Sequence, residues 1–268
     1  HHFEMAGNPR IDEMGIAQNI GSMEGKEMRI GAAGTATWSQ TTTVTSNGSV
    51  NGMHDSTMPL TGMFTMLNMM INCWFGGVGV GFMNYYTFLI IAVFISGLMV
   101  GRTPEFLGKK VEAREMKIAS IVALCHPFII LVGTAIAAYL YAHAPGFVES
   151  EGGWLNNPSF HGFSEMLYEY TSSAANNGSG FEGLGDNTYF WNYTCGIVLI
   201  LSRFIPIIGQ VAIAGLLAQK KFIPESAGTL KTDTLTFGVM TFVVIFIIAA
   251  LSFFPVHALS TIAEHLSL

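Results

Sequence analysis

Residues 41–49 read TTTVTSNGS and residues 171–179 read TSSAANNGS, so the chain carries the same polar motif twice, at an offset of 130 residues. Both copies end in Asn-Gly-Ser, at residues 47–49 and 177–179. Asn-Gly-Ser is a common turn sequence, so either copy alone fits an ordinary turn. Two copies in register, each followed by a long apolar stretch, instead indicate an internal repeat. Repeats in membrane proteins commonly line a pathway at their shared axis.

The composition around these motifs is that of a membrane protein. Half of the residues are hydrophobic and 11% are charged, against about 25% charged in soluble domains. The net charge of -6 provides no basic face, so no nucleic-acid partner is expected. Three isolated cysteines, Cys73, Cys125 and Cys195, form neither a metal motif nor a disulfide framework. The chain starts without Met, with two histidines to which we assign no function, and is expected to be a fragment of a longer protein.

Uncharged apolar runs of about 20 residues predict membrane-crossing helices. Residues 118–142 and 235–260 form two such runs, and residues 189–219 form a third that contains Arg203. Residues 56–100 are about twice as long as one span and include FGGVGVGF at 75–82. Glycines at this density break a helix. The length alone therefore allows either two crossing helices or one helix that is interrupted within the membrane.

The distribution of charge predicts the orientation of these spans. Basic residues cluster in the loop 101–117 and again near residues 220–231, and both loops are predicted to be cytoplasmic. The intervening segment 144–165 contains glutamates and no Lys or Arg, which indicates an outside loop. The final helix then leaves the C-terminus outside.

The repeated motif has the chemistry of a cation-selective loop. A short helix that ends within the membrane directs the negative end of its dipole towards the centre. The loop that follows can present carbonyl and hydroxyl oxygens to a dehydrated cation, and glycine permits the backbone angles this requires. Neither loop contains Asp or Glu, which favours a monovalent ion over Ca²⁺ or Mg²⁺. Asn47, Asn177 and Asn192 also fit a glycosylation acceptor pattern, which is the alternative interpretation.

Several longer segments resemble the potassium-binding A subunit of the bacterial Kdp-type potassium-transporting ATPase, in its C-terminal half. The matching segments are SMEGKEMRIG (22–31), MHDS (53–56), FGGVGVG (75–81), GLMVGRTPEFLGKKVEAREMK (97–117), HGFSEMLYEYTSSAANNGSGFEGL (161–184) and AGTL (227–230). The resemblance implies an all-α polytopic membrane protein built from helix, pore-helix, filter-loop, helix units of the potassium channel and transporter superfamily.

The resemblance also implies how the units divide the chain. Residues 1–117 are expected to hold the third unit without its first helix, with the pore helix and filter at about 30–50. The same unit would contain one broken helix at 56–101, interrupted by a gating loop, and a cytoplasmic loop at 102–117. The fourth unit would span 118–219, with its filter at 171–180, and residues 220–268 would form a cytoplasmic loop and the final helix. The gating loop is expected at Gly76, Gly77, Gly79 and Gly81.

The function that the resemblance implies is K⁺ binding and translocation within an ATP-driven uptake pump. K⁺ would enter from outside through the filter and pass to an ATP-hydrolysing P-type subunit, with accessory subunits, in the bacterial inner membrane. The chain would be a multi-pass subunit in the lipid bilayer, with K⁺ as transported ligand, no covalently bound cofactor and no catalytic residues of its own. A passive potassium channel or secondary cation transporter of the same superfamily is the alternative. The expected ion-binding residues are Thr45, Ser46, Asn47, Gly48, Ser49, Ala175, Asn176, Asn177, Gly178 and Ser179.

Two further sites depend on single residues. Arg203 would cost about 2.5–3.5 kcal/mol at the centre of a membrane helix. We favour the interpretation that it is a cationic side chain below the filter that discourages ion leak, over a structural ion pair.

His54 and Asp55 raise the alternative of an intramembrane enzyme, but neighbouring residues cannot face each other as a catalytic triad does. We expect Asp55, with Ser56, to cap the following helix. An enzyme site would also leave the second Asn-Gly-Ser loop unexplained.

Overall fold

A computed structural model describes residues 1–224 and 231–268 of the chain, and the AGTL segment at 227–230 lies outside the described residues. The regular secondary structure of the described part is helical apart from one short hairpin. In chain order the elements are α1 (His2–Ala6), α2 (Pro9–Glu13), α3 (Gly31–Val44), α4 (Pro59–Ile71), α5 (Val80–Val100), β1 (Glu105–Phe106), β2 (Lys109–Lys110), α6 (Ala113–His143), α7 (Pro145–Ser150), α8 (Phe160–Ala175), α9 (Tyr189–Ala218), α10 (Leu235–Leu259) and α11 (Thr261–Ser267).

Among the described residues, four helical stretches are long and apolar enough to cross a membrane: α5, α6, α9 and α10 with its continuation α11. Large apolar side chains are exposed along them, including Phe82, Ile121, Ile200 and Leu251. An outward apolar surface of this kind is what lipid requires. The predicted all-α polytopic membrane protein is confirmed. Helix α9 continues through Pro206 without a break.

Helices α3 and α8 are shorter and lie within the bundle. Helix α3 packs on α4, and α8 packs on α4, α6 and α9. Helix α8 is largely buried, whereas α3 exposes one face that includes Thr37, Trp38 and Thr41. Several of the buried hydroxyl groups bond back to their own helix: Thr43 Oγ1 donates to the Ser39 carbonyl at 2.7 Å, and Thr171 Oγ1 to the Leu167 carbonyl at 2.7 Å. This local bonding satisfies the hydroxyl groups inside the bundle.

The apolar segment 56–100 forms two helices separated by residues 72–79. Helix α4 ends at Asn72, which has a φ of 44°, and Gly76 and Gly79 also have positive φ. Gly81, which the sequence placed in the gating loop, instead belongs to α5. The reason is local, because the Gly81 amide donates to the Gly77 carbonyl at 3.0 Å and so completes the first helical turn.

The basic loop after α5 is shorter than the predicted 102–117, because helix α6 begins at Ala113. The backbone amide of Glu112 donates to Glu115 Oε2 at 2.8 Å and caps the helix there. Lys220 Nζ lies 2.8 Å from Glu115 Oε2 and so joins the two basic loops.

The expected capping role of Asp55 is wrong. Helix α4 starts at Pro59, too far along the chain for Asp55 to reach its first turn. The amide of Met58, at the start of the helix, donates instead to Glu4 Oε1 at 2.7 Å. Asp55 turns the other way and accepts from His161 Nε2 at 2.9 Å. The three cysteines are free.

Candidate functional site

The two copies of the repeated motif lie against each other. Each follows the C-terminal end of a short helix, α3 or α8. Ser46 Oγ of the first loop donates to the Ala175 carbonyl at the end of α8, at 3.0 Å. A Cβ atom placed on Gly48 would lie 2.2 Å from the Asn177 carbonyl oxygen. The structure therefore brings the two predicted filter loops together.

The first loop leaves its helix through a left-handed residue, Ser46, with a φ of 59°. The Ser46 amide donates to the Thr43 carbonyl at 3.2 Å, and the Asn47 amide to the Thr42 carbonyl at 2.8 Å. These two bonds are those of a Schellman motif, which satisfies the last carbonyls of a helix and reverses the chain.

The second loop repeats this ending residue for residue. Asn176 has a φ of 60°, and its amide donates to the Ser173 carbonyl at 3.2 Å, while the Asn177 amide donates to the Ser172 carbonyl at 3.3 Å. The internal repeat predicted from sequence is thus also a repeat in backbone conformation at the two helix ends. The chain direction after each helix is set by these bonds.

The asparagine side chains of the triplets shape the loops. Asn47 Oδ1 accepts from the Ser49 amide at 2.8 Å, and Asn177 Oδ1 accepts from the Ser179 amide at 3.4 Å. Asn177 Nδ2 also contacts Met69 Sδ at 2.7 Å. Asn177 Oδ1 also accepts from Ser172 Oγ at 2.6 Å, so both amide oxygens are engaged by their own loop or helix end. The engaged amide nitrogen of Asn177 does not fit a glycosylation acceptor.

Backbone carbonyls are the oxygens that remain open. Within the described part of the chain, the carbonyls of Ser46 and Gly48, and those of Asn176 and Gly178, accept no hydrogen bond. Two helix C-termini, each with a partial negative charge, converge on the same loops. A cation is the ligand that such an arrangement attracts.

The interruption between α4 and α5 is attached to the first filter loop. The Gly76 amide donates to the Val44 carbonyl at the last residue of α3, at 2.8 Å. A Cβ atom on Gly77 would lie 3.4 Å from Ser46 Cβ, which is ordinary contact. A change in the conformation of the interrupted segment would therefore alter the loop after α3.

Replacing Gly76 by Ala is expected to disrupt this segment. Gly76 has a φ of +57°, and a Cβ there would lie 2.4 Å from Gly81 Cα. The left-handed conformation costs an L-residue about 1–2 kcal/mol before the overlap is counted. Gly77→Ala is the matched control, since Gly77 lacks a positive φ. Thermal unfolding of the full-length protein should show a lower midpoint for Gly76→Ala alone, and equal midpoints would contradict the assignment.

Arg203 lies beside the second predicted filter loop. Its Nε donates to Asn176 Oδ1 at 3.1 Å, and Asn176 Nδ2 donates to Ser202 Oγ at 3.0 Å. The partner of the guanidinium is an amide of the loop, which differs from the carboxylate that a structural ion pair requires. Arg203 thus adds a positive charge next to the predicted ion-binding residues.

A mainly apolar cavity of about 60 Å³, with a few amide and hydroxyl groups and Arg203 in its lining, lies beneath the loops, between α4, α5, α6, α8, α9 and α10. Asn84 Nδ2 donates to the Asn72 carbonyl at 2.9 Å, and Gln210 Nε2 donates to Asn84 Oδ1 at 2.9 Å. Sequence reasoning missed Asn72, Asn84 and Gln210. Their signal was the isolated amide side chain in an apolar run, a feature typical of functional positions in membranes.

His54 and Asp55 bond to different partners, so they form no catalytic pair. His54 Nδ1 lies 2.9 Å from the Tyr168 hydroxyl, and burial lowers the pKa of His54 to about 4. His161 lies between Asp55 and Glu264. Burial lowers the pKa of His161, but the hydrogen bonds and charges of these two carboxylates outweigh it and raise the pKa to about 10.

Comparison with known proteins agrees with the site. The model of the family described as "Potassium-transporting ATPase A subunit" matches residues 1–266. Relatives named "Potassium-transporting ATPase potassium-binding subunit" are 85% identical in Phocaeicola vulgatus, 68% in Flavobacterium johnsoniae and 50% in Geobacillus kaustophilus. Each match covers 99–100% of this chain and 46–47% of the relative. The chain therefore spans about half the length of the curated relatives it matches. The resemblance inferred from the sequence motifs is confirmed, and the chain belongs to the potassium-transporting ATPase A subunit family.

Proposed function

We propose that this chain supplies two of the loops of a potassium filter in an ATP-driven uptake pump. The observation that carries the proposal is the junction of the loops after α3 and α8, where Ser46 Oγ donates to the Ala175 carbonyl at 3.0 Å. Relatives of this chain are named as potassium-binding subunits, which supports K⁺ as the transported ion.

The ion would be bound by neutral oxygen atoms. The open carbonyls of the two loops can replace the waters of a weakly hydrated cation, while the helix C-termini provide partial negative charge. Neither loop contains a carboxylate, and a divalent ion would require one or more. The predicted binding set is 45–49 together with 175–179, with the asparagine side chains holding the loops in shape.

The route we propose runs from outside through the filter, past the interruption at 72–79 and into the cavity beneath it. The ion then moves laterally to an ATP-hydrolysing P-type subunit, which performs the hydrolysis. Residues 1–117 and 118–219 are the two pore units, and the rest of the full-length protein contributes the other two filter loops. The upstream reading frame should encode two further glycine filter loops between helices. The site would lie in the bacterial inner membrane, in a multi-pass subunit assembled with accessory subunits.

The test is ATP-dependent uptake into proteoliposomes that contain the full-length protein with its partner subunits. We expect radioactive Rb⁺, used as a K⁺ congener, to accumulate against its gradient only when ATP is present. Flux that runs only down the gradient and ignores ATP would identify a passive channel, and flux that follows a proton or sodium gradient would identify a secondary transporter. Either result would contradict the proposed pump.

A further inference from the structure

A second cluster of charged groups lies at the N-terminal end of α8, at the opposite end of that helix from the filter loop. Asp55, from the loop before α4, approaches His161 and Glu165 of α8. His161 and Glu165 are four residues apart and so share one helix face. One ligand atom from each of the three side chains lies within 4.8 Å of the others. A carboxylate, an imidazole and a second carboxylate therefore converge from two separate elements.

Neighbouring polar groups hold these three side chains in place. Glu264 of α11 contacts the other ring nitrogen of His161, with Oε1 2.7 Å from Nδ1. Histidines that bind metals usually donate their other ring N–H to a carboxylate in this way. Asn157 Nδ2 donates to Glu165 Oε1 at 3.1 Å and to Asp55 Oδ2 at 3.3 Å. The amide thereby turns the two carboxylates towards each other.

The cluster contains an acceptor that nothing in the described residues satisfies. Glu165 is fully buried, and its Oε2 has no hydrogen-bond partner among those residues. The two carboxylates also crowd one point, since a Cβ on Gly183 would lie 2.5 Å from Glu165 Oε1 and 2.7 Å from Asp55 Oδ2. Buried like charges and an unpaired buried oxygen are both costly. A cation between the groups would relieve both.

A route for such an ion exists. A pocket of about 310 Å³ reaches Asp55 and His161 and is also lined by Glu24, Asn157 and Glu264. The pocket is acidic, so it would draw in positive ions. An entry path is one of the requirements for a genuine metal site.

We propose that Asp55, His161 Nε2 and Glu165 bind one divalent transition-metal ion, for which Zn²⁺ is the representative, with water as a fourth ligand. Imidazole with carboxylates suits Zn²⁺ better than Ca²⁺ or Mg²⁺, which prefer oxygen ligands throughout. Bonds of about 2.0–2.2 Å place neighbouring ligands of a tetrahedral site about 3.4 Å apart. The ion takes the place of the proton on Nε2, which leaves to solvent, and the other proton stays on Nδ1, from which it is donated to Glu264 Oε1.

The role of this ion is to join three elements at the outer end of a pore helix. It ties the loop before α4 to α8, and through Glu264 it orders α11. Helix α8 carries the second filter loop at its other end, so the ion would fix the helix from which that loop extends. The site does not depend on the identity of the transported ion.

The experiment uses the untagged full-length protein in detergent, treated with a chelator and then titrated with Co²⁺ as a visible probe. We expect one Co²⁺ per protein with a visible absorption band, displaced by Zn²⁺ but not by equal concentrations of Mg²⁺ or Ca²⁺. Glu165→Gln, which keeps the shape and the contact with Asn157, should weaken Co²⁺ binding by at least about a hundredfold. Glu264→Gln should weaken it about tenfold through the orientation of His161.

Glu149→Gln is the matched control, because Glu149 is an exposed glutamate of α7 and should bind Co²⁺ as the wild type does. If Glu165→Gln fails to fold, the wild-type titration still decides the matter. No stoichiometric Co²⁺ or Zn²⁺ binding by the folded wild-type protein would show a purely structural ion cluster and overturn the proposal. Binding that survives equally in Glu165→Gln and Glu149→Gln would overturn it as well.

Discussion

Gly48→Ala is expected to reduce ATP-dependent K⁺ uptake about a hundredfold while the protein still folds. The new Cβ would lie 2.2 Å from the Asn177 carbonyl oxygen and 3.0 Å from the Gly178 carbonyl carbon. Both atoms are backbone, so relief requires the two loops to move apart by about 1 Å. A displacement of this size at a positioned site commonly costs about a hundredfold in rate. The measurement is radioactive Rb⁺ uptake by the reconstituted complex, beside the thermal unfolding midpoint.

Two other glycines separate the contact from the backbone conformation. Gly180→Ala is the control, because the nearest atom to its Cβ would be Glu169 Oε2 at 3.9 Å, and uptake should be retained. Gly178→Ala meets nothing within 4 Å but must adopt a φ of +81°, so it tests strain alone. Full uptake by Gly48→Ala would show that the loops do not meet as described.

The sequence predicted the pair of loops correctly but gave the wrong reason for Gly48. It was expected to provide unusual backbone angles, yet Gly48 is absent from the residues with positive φ. Its need for glycine comes from the second loop, which lies 130 residues further along the chain. A close approach between distant segments leaves no local pattern in a single sequence. The conformational argument applies instead to Gly178.

The left-handed residues that follow α3 and α8 could not be predicted from the sequence either. Glycine is the usual residue at this position, but here Ser46 and Asn176 occupy it. Asn tolerates the conformation better than most residues, whereas Ser gives no such signal. The junction with the neighbouring helix end holds Ser46 in place, through its bond to the Ala175 carbonyl.

The predicted capping role of Asp55 was wrong for a related reason. The local pattern favoured a helix cap, because Asp and Ser precede an apolar run. The amide at the helix start is instead satisfied by Glu4, and Asp55 meets His161. The actual partners, Glu4 and His161, lie far away in sequence. A local pattern could therefore not reveal that they replace the expected cap. The membrane spans were predictable because their signal is composition over a long window.

Arg203→Gln is expected to lower the selectivity for K⁺ over Na⁺ by about ten- to a hundredfold. The guanidinium Nε donates to Asn176 Oδ1 at 3.1 Å, and hydrogen bonds to charged groups contribute about 1.5–3 kcal/mol. Its loss would free Asn176 at the start of the second filter loop, and the positive charge beneath the filter would disappear. Competition of Na⁺ against radioactive Rb⁺ uptake measures the change.

Arg203→Lys distinguishes the charge from the hydrogen bond. Lysine keeps the positive charge but has no group equivalent to Nε, so selectivity should fall while passive leak of ions stays low. Asn176→Ala removes the same hydrogen bond from the other side, together with those that Asn176 Nδ2 donates to the Ser173 carbonyl and Ser202 Oγ, so its selectivity should fall at least as far as that of Arg203→Lys. If leak rises only in Arg203→Gln, the charge is what blocks the uncoupled passage of ions. Placing the charge of Arg203 in the membrane costs about 2.5–3.5 kcal/mol. If Arg203→Gln leaves both selectivity and leak unchanged, that charge has no role in transport, and the side chain is structural.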